Sequence, residues 1–329
     1  MHCHAGAHRR GNDIKQKPAD GRKGTDVKED LKYTLMVIGM VVSWSIYYAV
    51  SKIVVSATGS ALLAGFLLRS TALVFLTVQL LADGNFSRLF HQGKAVRVLL
   101  IIGVFGFLLD LFANLGYANG SLSTGTALLK TDVVMVNLAT VILYHKKLYL
   151  SDWIGTLVML FGVLLVLGVD FGGMTFHVTD LYFLLSAACV SVNAFVIKHA
   201  QEKYHEDADM ISYYNNAVVL ILFAGSAALH GDFHLPANMG AGFWWLVVLG
   251  GLAQTGIYFF YYRNLKHFDV WLVKLYLLLM PVLSCFIGVF FLHEELTVMK
   301  MLGILVVLSG AAVVLQRGRI NHEGRPVRE

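Results

Sequence analysis

Apolar residues in this chain come in long blocks, not in alternation. A helix needs about 20 of them to cross a hydrocarbon core of roughly 30 Å. Ten blocks qualify, near 33–55, 60–81, 96–116, 122–144, 150–169, 179–199, 210–229, 241–262, 270–292 and 298–316. The pattern predicts an all-α membrane protein with ten transmembrane helices. Two-residue alternation, the mark of a membrane strand, is absent, which excludes a β-barrel. The first block follows a polar leader, residues 1–32, and outruns the apolar core of a cleavable signal, so it reads as a retained membrane helix.

Composition explains why the solvent must be lipid. Of 329 residues, 57% are hydrophobic and 14% charged, and mean hydropathy is +0.66. A soluble domain carries about a quarter charged residues and needs them at its surface. A soluble enzyme, a nucleic-acid-binding protein and a disordered chain are therefore excluded. Cys3, Cys189 and Cys285 are too scattered for a disulfide framework or a zinc site. His2, Cys3, His4 and His8 crowd the start, in a tail with nothing to fix ligand geometry. No phosphate-binding loop or nucleophile elbow occurs. No metal, cofactor or catalytic residue is expected, and ATP is not the expected energy source.

Lysine and arginine set the direction. Eight precede the first span: Arg9, Arg10, Lys15, Lys17, Arg22, Lys23, Lys28 and Lys32. More lie in every second connection (Arg88, Lys94, Arg97; Lys146, Lys147; Lys198, Lys203; Arg263, Lys266) and in the final tail. The other loops, 56–59, 117–121, 170–178, 230–240 and 293–297, contain none. The positive-inside rule puts both termini in the cytoplasm. The net charge of +5 follows from this topology without any nucleic-acid partner.

The chain also repeats itself. His145-Lys146-Lys147-Leu148 matches His293-Glu294-Glu295-Leu296 at an offset of 148, and Gly155 and Gly162 match Gly303 and Gly310. Ser45, Val50 and Lys52 match Ser191, Val196 and Lys198 at an offset of 146. Five spans per copy is an odd number, so the copies must be inverted. The predicted organisation is a cytoplasmic tail (1–32), a first five-helix repeat (33–169), a second (179–317) and a short cytoplasmic tail (318–329).

Trp44, Phe66-Leu67-Leu68-Arg69, and Met280-Pro281-Val282 leading into Leu292-His293-Glu294-Glu295-Leu296 give this array a resemblance. It is similar to the EamA-type drug/metabolite transporters over about residues 33–317. Asp132-Val133, where such proteins often carry a proline, and Lys146-Lys147, where a Glu is usual, depart from that pattern. The resemblance implies a central cavity lined by spans 1–4 and 6–9, with spans 5 and 10 outside, and a bacterial inner (plasma) membrane location. Spans 5 and 10 indeed carry no ionisable residue between Trp153 and Gly168 or between Met301 and Gln316.

Charge inside lipid is costly and usually faces protein or water. Arg69, Asp110, Lys130 and Asp132 fall within apolar blocks, and Lys274 enters the ninth about one turn from its cytoplasmic edge. Asn114 shares the Asp110 face. On an unbroken helix Lys130 and Asp132 diverge by about 200° and cannot address one spot. Two readings stay open: a binding cavity, or structural pairs of Arg69 with Asp132 and Lys130 with Asp110. Lys52 and Lys198 sit at span ends and are expected to reach the headgroups, as Lys274 also could. Glu294-Glu295 is expected at an exposed outer turn, Pro281 at a kink, and the Tyr117–Gly125 stretch in an outer loop.

Tyr47, Tyr48, Asn193, Asn215, Asn216, Gln254 and Tyr258 add hydrogen-bonding capacity within the spans. Together these features predict a secondary transporter working by alternating access on a small polar metabolite, zwitterionic or anionic, by exchange or with protons. Its expected substrate-binding residues are Arg69, Asp110, Asn114, Lys130, Asp132, Tyr47, Gln254, Tyr258 and Lys274. The alternatives are a membrane enzyme acting on a lipid-linked substrate and a non-transporting scaffold or sensor. A homodimer is compatible with either.

Overall fold

The computed structural model describes residues 20–90, 93–119, 128–144, 150–166, 177–234, 239–280, 282–283, 286, 297–299 and 301–310. Their regular elements are all helical: α1 (Asp20–Thr58), α2 (Ala61–Ala82), α3 (Val96–Asn119), α4 (Asp132–Tyr144), α5 (Leu150–Val166), α6 (Val178–Lys203), α7 (Ala208–His230), α8 (Ala241–His267), α9 (Val270–Tyr276) and α10 (Met301–Gly310). Among these, α1, α2, α3, α6, α7 and α8 are long and apolar enough to span a bilayer, and the other four are shorter apolar helices. The chain divides into two compact units, Met1–Leu35 and Met36–Glu329, and the candidate site belongs to the second.

Three expectations change. Helix α1 begins at Asp20, inside the leader expected to be a polar tail, where Lys28, Glu29 and Lys32 are good helix formers. The fourth block is not one uninterrupted helix: a turn at Lys130–Thr131 precedes α4, leaving Asp132 in its first turn rather than at mid-helix. An acid is favoured there, beside unpaired backbone N–H groups. The ninth block also breaks, α9 tightening into a 3₁₀ turn at Leu277–Leu279. Pro281, Glu294, Glu295 and residues 120–125 lie outside the described residues.

Local chemistry sets the helix ends. Gly59 takes a left-handed φ of +67° after α1, and Ser60 then caps α2 by accepting from Leu63 N at 3.1 Å. Gly84 (φ +66°) and Gly231 (φ +71°) follow α2 and α7 in the same way. In each case the next amide reaches back over the last turn: Asn85 N to Leu80 O (3.0 Å) and Asp232 N to Ala227 O (2.9 Å).

Matching contacts recur at the offsets seen in the sequence. Ser45 Oγ donates to Met280 O (3.4 Å), and Ser191 Oγ donates to Asp132 O (3.3 Å). Lys52 Nζ donates to Tyr117 O near the end of α3 (2.5 Å), and Lys198 Nζ to Leu265 O near the end of α8 (2.7 Å). Both lysines thus satisfy carbonyls that a helix C-terminus leaves open. That corrects the expectation that they reach the headgroups.

The matched glycines pack α5 against α10. A Cβ on Gly162 would meet Val307 N at 2.7 Å and Gly303 O at 3.0 Å, while one on Gly310 would meet Gly155 O and Met159 N, both at 3.2 Å. Neither backbone can yield cheaply. Gly162→Ala and Gly310→Ala should therefore each lower stability by about 1–3 kcal/mol, read as the detergent unfolding midpoint, with Gly162→Ala the worse. Alanine tolerated at both positions would show that the helices are not in this close contact.

Candidate functional site

Arg69, on α2, is 3% exposed among apolar neighbours, so its charge needs partners. It finds them on four helices. Its Nε donates to Asp110 Oδ2 on α3 at 2.8 Å, and Nη2 makes a second bond to the same oxygen. Its Nη1 donates to the Tyr258 hydroxyl on α8 and to Asn216 Oδ1 on α7, the latter at 3.4 Å. Asn216 Nδ2 returns a bond to Arg69 O at 3.0 Å. Tyr47, on α1, donates to Asp110 Oδ2 at 3.1 Å. The guanidinium also lies 5.6 Å from the Tyr258 ring centroid and 5.9 Å from that of Tyr47, where a ring face attracts a cation.

A second charged centre joins α4 and α9. Lys274, fully buried, donates to Asp132 Oδ2 at 2.9 Å and lies 5.4 Å from the Tyr261 ring centroid. Lys130 sits just before α4 with its Nζ 3.7 Å from Met280 Sδ, within electrostatic reach of Asp132 and Lys274. Tyr48 lies within electrostatic reach of both Asp110 and Asp132. Trp44 stacks at a tilt on Tyr48 (5.3 Å) and edge-on to Tyr261 (6.1 Å).

The observed pairs are therefore Arg69 with Asp110 and Lys274 with Asp132. These differ from the pairs named under the structural reading, Arg69 with Asp132 and Lys130 with Asp110; Lys274, for which a reach to the headgroups and a role at the site were both open, is buried on Asp132. The turn before α4 accounts for part of the difference, because helical angles between Lys130 and Asp132 no longer apply.

A narrow cleft opens beside the first centre. Of the residues expected to bind substrate, Arg69, Asp110, Gln254 and Tyr258 line it, together with Trp44, Asn193, Asn215, Tyr261 and Tyr262. Tyr47 acts one layer back, on Asp110. Asn114 does not face the cleft: it accepts from Ser51 Oγ at 2.9 Å and donates to Ala61 O at 3.2 Å, tying α3 to α1 and α2. Lys130, Asp132 and Lys274 form the separate centre. Outside the expected substrate-binding set were Trp44, Tyr261 and Tyr262, and also Asn193 and Asn215, which were expected only to add hydrogen-bonding capacity. Tyr258, Tyr261 and Tyr262, at i, i+3 and i+4, form a single aromatic face that the spacing could have revealed.

The cleft wall has unmet hydrogen-bonding capacity. Among the described residues, Trp44 Nε1, Asn193 Oδ1 and Asn215 Oδ1 are buried without a partner. Leaving such an atom unpaired costs about 1–3 kcal/mol. Three together call for water or a polar ligand. The volume open to a water's centre is only about 30 Å³, enough for a water and too little for a metabolite.

Comparison with known proteins gives this geometry a context. The model of the EamA-like transporter family matches residues 31–168 and again 177–316. An uncharacterized transporter in the cobO 3' region of Sinorhizobium sp is 29% identical over 131 residues, which is 40% of this chain and 92% of the relative. A solved crystal structure superposes with a TM-score of 0.67 at 22% identity, covering 88% of this chain and 98% of that one. That last likeness shows a shared fold.

Proposed function

Because the chain belongs to the EamA-like transporter family, we propose that it is a secondary transporter carrying a small polar metabolite across its membrane by alternating access. Family membership and the six long apolar helices make it a multi-pass membrane protein. On our reading it has ten spans in two inverted halves, 33–169 and 179–317, with both termini cytoplasmic in a bacterial inner membrane. The paired serine, lysine and glycine contacts support the inverted arrangement, since two similar packings of opposite sense supply two states of similar energy.

One observation carries the polar-cargo reading. Three polar atoms without a partner among the described residues and one arginine–aspartate pair converge on a cleft in an otherwise apolar bundle. A greasy drug would leave those atoms unpaired; a cargo with both donors and acceptors, such as a zwitterion, would satisfy the two amide oxygens and the indole N–H together. Among the described residues, every bond that Asp110 accepts falls on Oδ2, which leaves Oδ1 to take an amine or a proton from the cargo. The cleft as it stands is contracted. At the basic end of the bundle, Arg88 meets Asp207 at 2.8 Å and Arg263 meets Asp209 at 3.1 Å. On our reading these pairs, the first exposed and the second half-buried, close the cytoplasmic side lightly, the exposed one worth no more than about 1 kcal/mol.

The direct test is flux. Proteoliposomes loaded with labelled amino acids, small acids or sugars, with and without a pH gradient, should move at least one polar metabolite faster than protein-free vesicles. Equal leakage from both vesicle types across the panel would reject transport and favour an enzyme or a sensor.

A further inference from the structure

The second charged centre does not balance. Lys130 and Lys274 share the single carboxylate of Asp132, and Lys274 takes its Oδ2 at 2.9 Å. Among the described residues, Asp132 Oδ1 is buried with no partner. Lys130, 4% exposed, has among them only the thioether of Met280 within hydrogen-bonding range, at 3.7 Å. A thioether is a weak acceptor and offers no charge. The described residues of this neighbourhood therefore hold one positive charge more than they balance, and a buried unpaired ion is strongly unfavourable.

Backbone geometry adds to the imbalance. Before α4 the chain turns through short bonds, Thr131 N to Leu128 O (3.1 Å) and Val133 N to Lys130 O (3.3 Å). This sets the positive end of the α4 dipole beside Lys130. Across from it α9 gives way to a 3₁₀ turn ending at Met280, whose carbonyl Ser45 holds. Two interrupted helices thus meet around one excess ammonium. Half-helix N-termini and freed backbone groups of this kind suit an anionic ligand group.

We infer that the turn before α4 is a carboxylate-binding subsite, in which Lys130 exchanges the Met280 thioether for the acid group of a cargo carrying one negative charge there. The inference rests on the transporter reading and narrows it to a monocarboxylate or the carboxylate end of a zwitterion. Asp132 keeps Lys274 and leaves Lys130 to the cargo.

The test uses the full-length purified protein and its thermal unfolding midpoint in detergent. Acetate, pyruvate and L-alanine are the probes; glucose and putrescine are the neutral and cationic controls, all at matched ionic strength. Acetate or pyruvate should raise the midpoint by about 2 °C or more, and the controls should not. Lys130→Met should raise the ligand-free midpoint, because it removes an unpaired buried charge, and should weaken acid binding by about thirtyfold or more. Lys130→Arg should keep an acid response.

A ligand-free midpoint lowered by Lys130→Met would make the residue structural and overturn the subsite. So would an acid response that survives Lys130→Met, or no acid response in the parent. The two readings also fail separately. Flux of neutral metabolites without an acid response removes the subsite and leaves transport, whereas an acid response without any flux removes transport and leaves the subsite.

Discussion

Asp110→Asn should abolish transport and lower stability by about 3–5 kcal/mol, the usual result of removing one partner from a buried pair. The reason is the Arg69 guanidinium, which donates both its charge-assisted bonds to one oxygen of Asp110. An asparagine amide can offer that position a neutral carbonyl oxygen but no negative charge, and Tyr258 and Asn216 supply none either. Tyr47 is left donating to a neutral amide. The double variant Arg69→Met/Asp110→Leu removes both charges and should recover most of the stability, since apolar replacement of a whole buried pair is often neutral. It should not recover transport. Unfolding midpoints and liposome uptake measured on the three proteins would distinguish a working pair from a structural one. If the double variant transports like the parent, the pair only braces helices.

The second large effect belongs to Asp132. Asp132→Asn leaves two buried ammoniums, Lys130 and Lys274, without a carboxylate, and should cost about 3–5 kcal/mol or more. Lys274→Met should be milder, because Lys130 remains within electrostatic reach of Asp132 and can supply the countercharge. Adding Lys274→Met to Asp132→Asn should then restore part of the lost stability. Folded yield by size-exclusion chromatography and the unfolding midpoint would order the variants. An Asp132→Asn protein as stable as the parent would mean that these lysines do not depend on that carboxylate.

Lipid makes part of this architecture visible in sequence. A spanning helix must be apolar over its whole length, so α2, α3, α6, α7 and α8 lie where the blocks predict them. The family resemblance drawn from Trp44, Arg69 and the Met280 region agrees with the family match. The burial of Arg69, Asp110, Lys130 and Asp132 could also be anticipated, because charge in hydrocarbon needs company. Their partners could not. Pairing depends on how each helix is rotated and where it breaks, and the one mark of the turn at Lys130–Thr131 is the Thr131-Asp132 pair, a helix-start signal that the surrounding apolar run hides. Lys52 and Lys198 failed for a related reason. A lysine at a span end can reach water or a carbonyl, and only the neighbouring helix end decides between them.

Those two lysines have a mechanical consequence. Lys52 fastens α1 to the far end of α3, and Lys198 fastens α6 to the far end of α8. Each ammonium gives up hydration for its bond to a carbonyl, so each acts as a rivet between two helices that are not consecutive in the chain. In the two-halved transporter that we propose, strain from cargo loading would then pass through these rivets to the seam between the halves instead of dissipating within either.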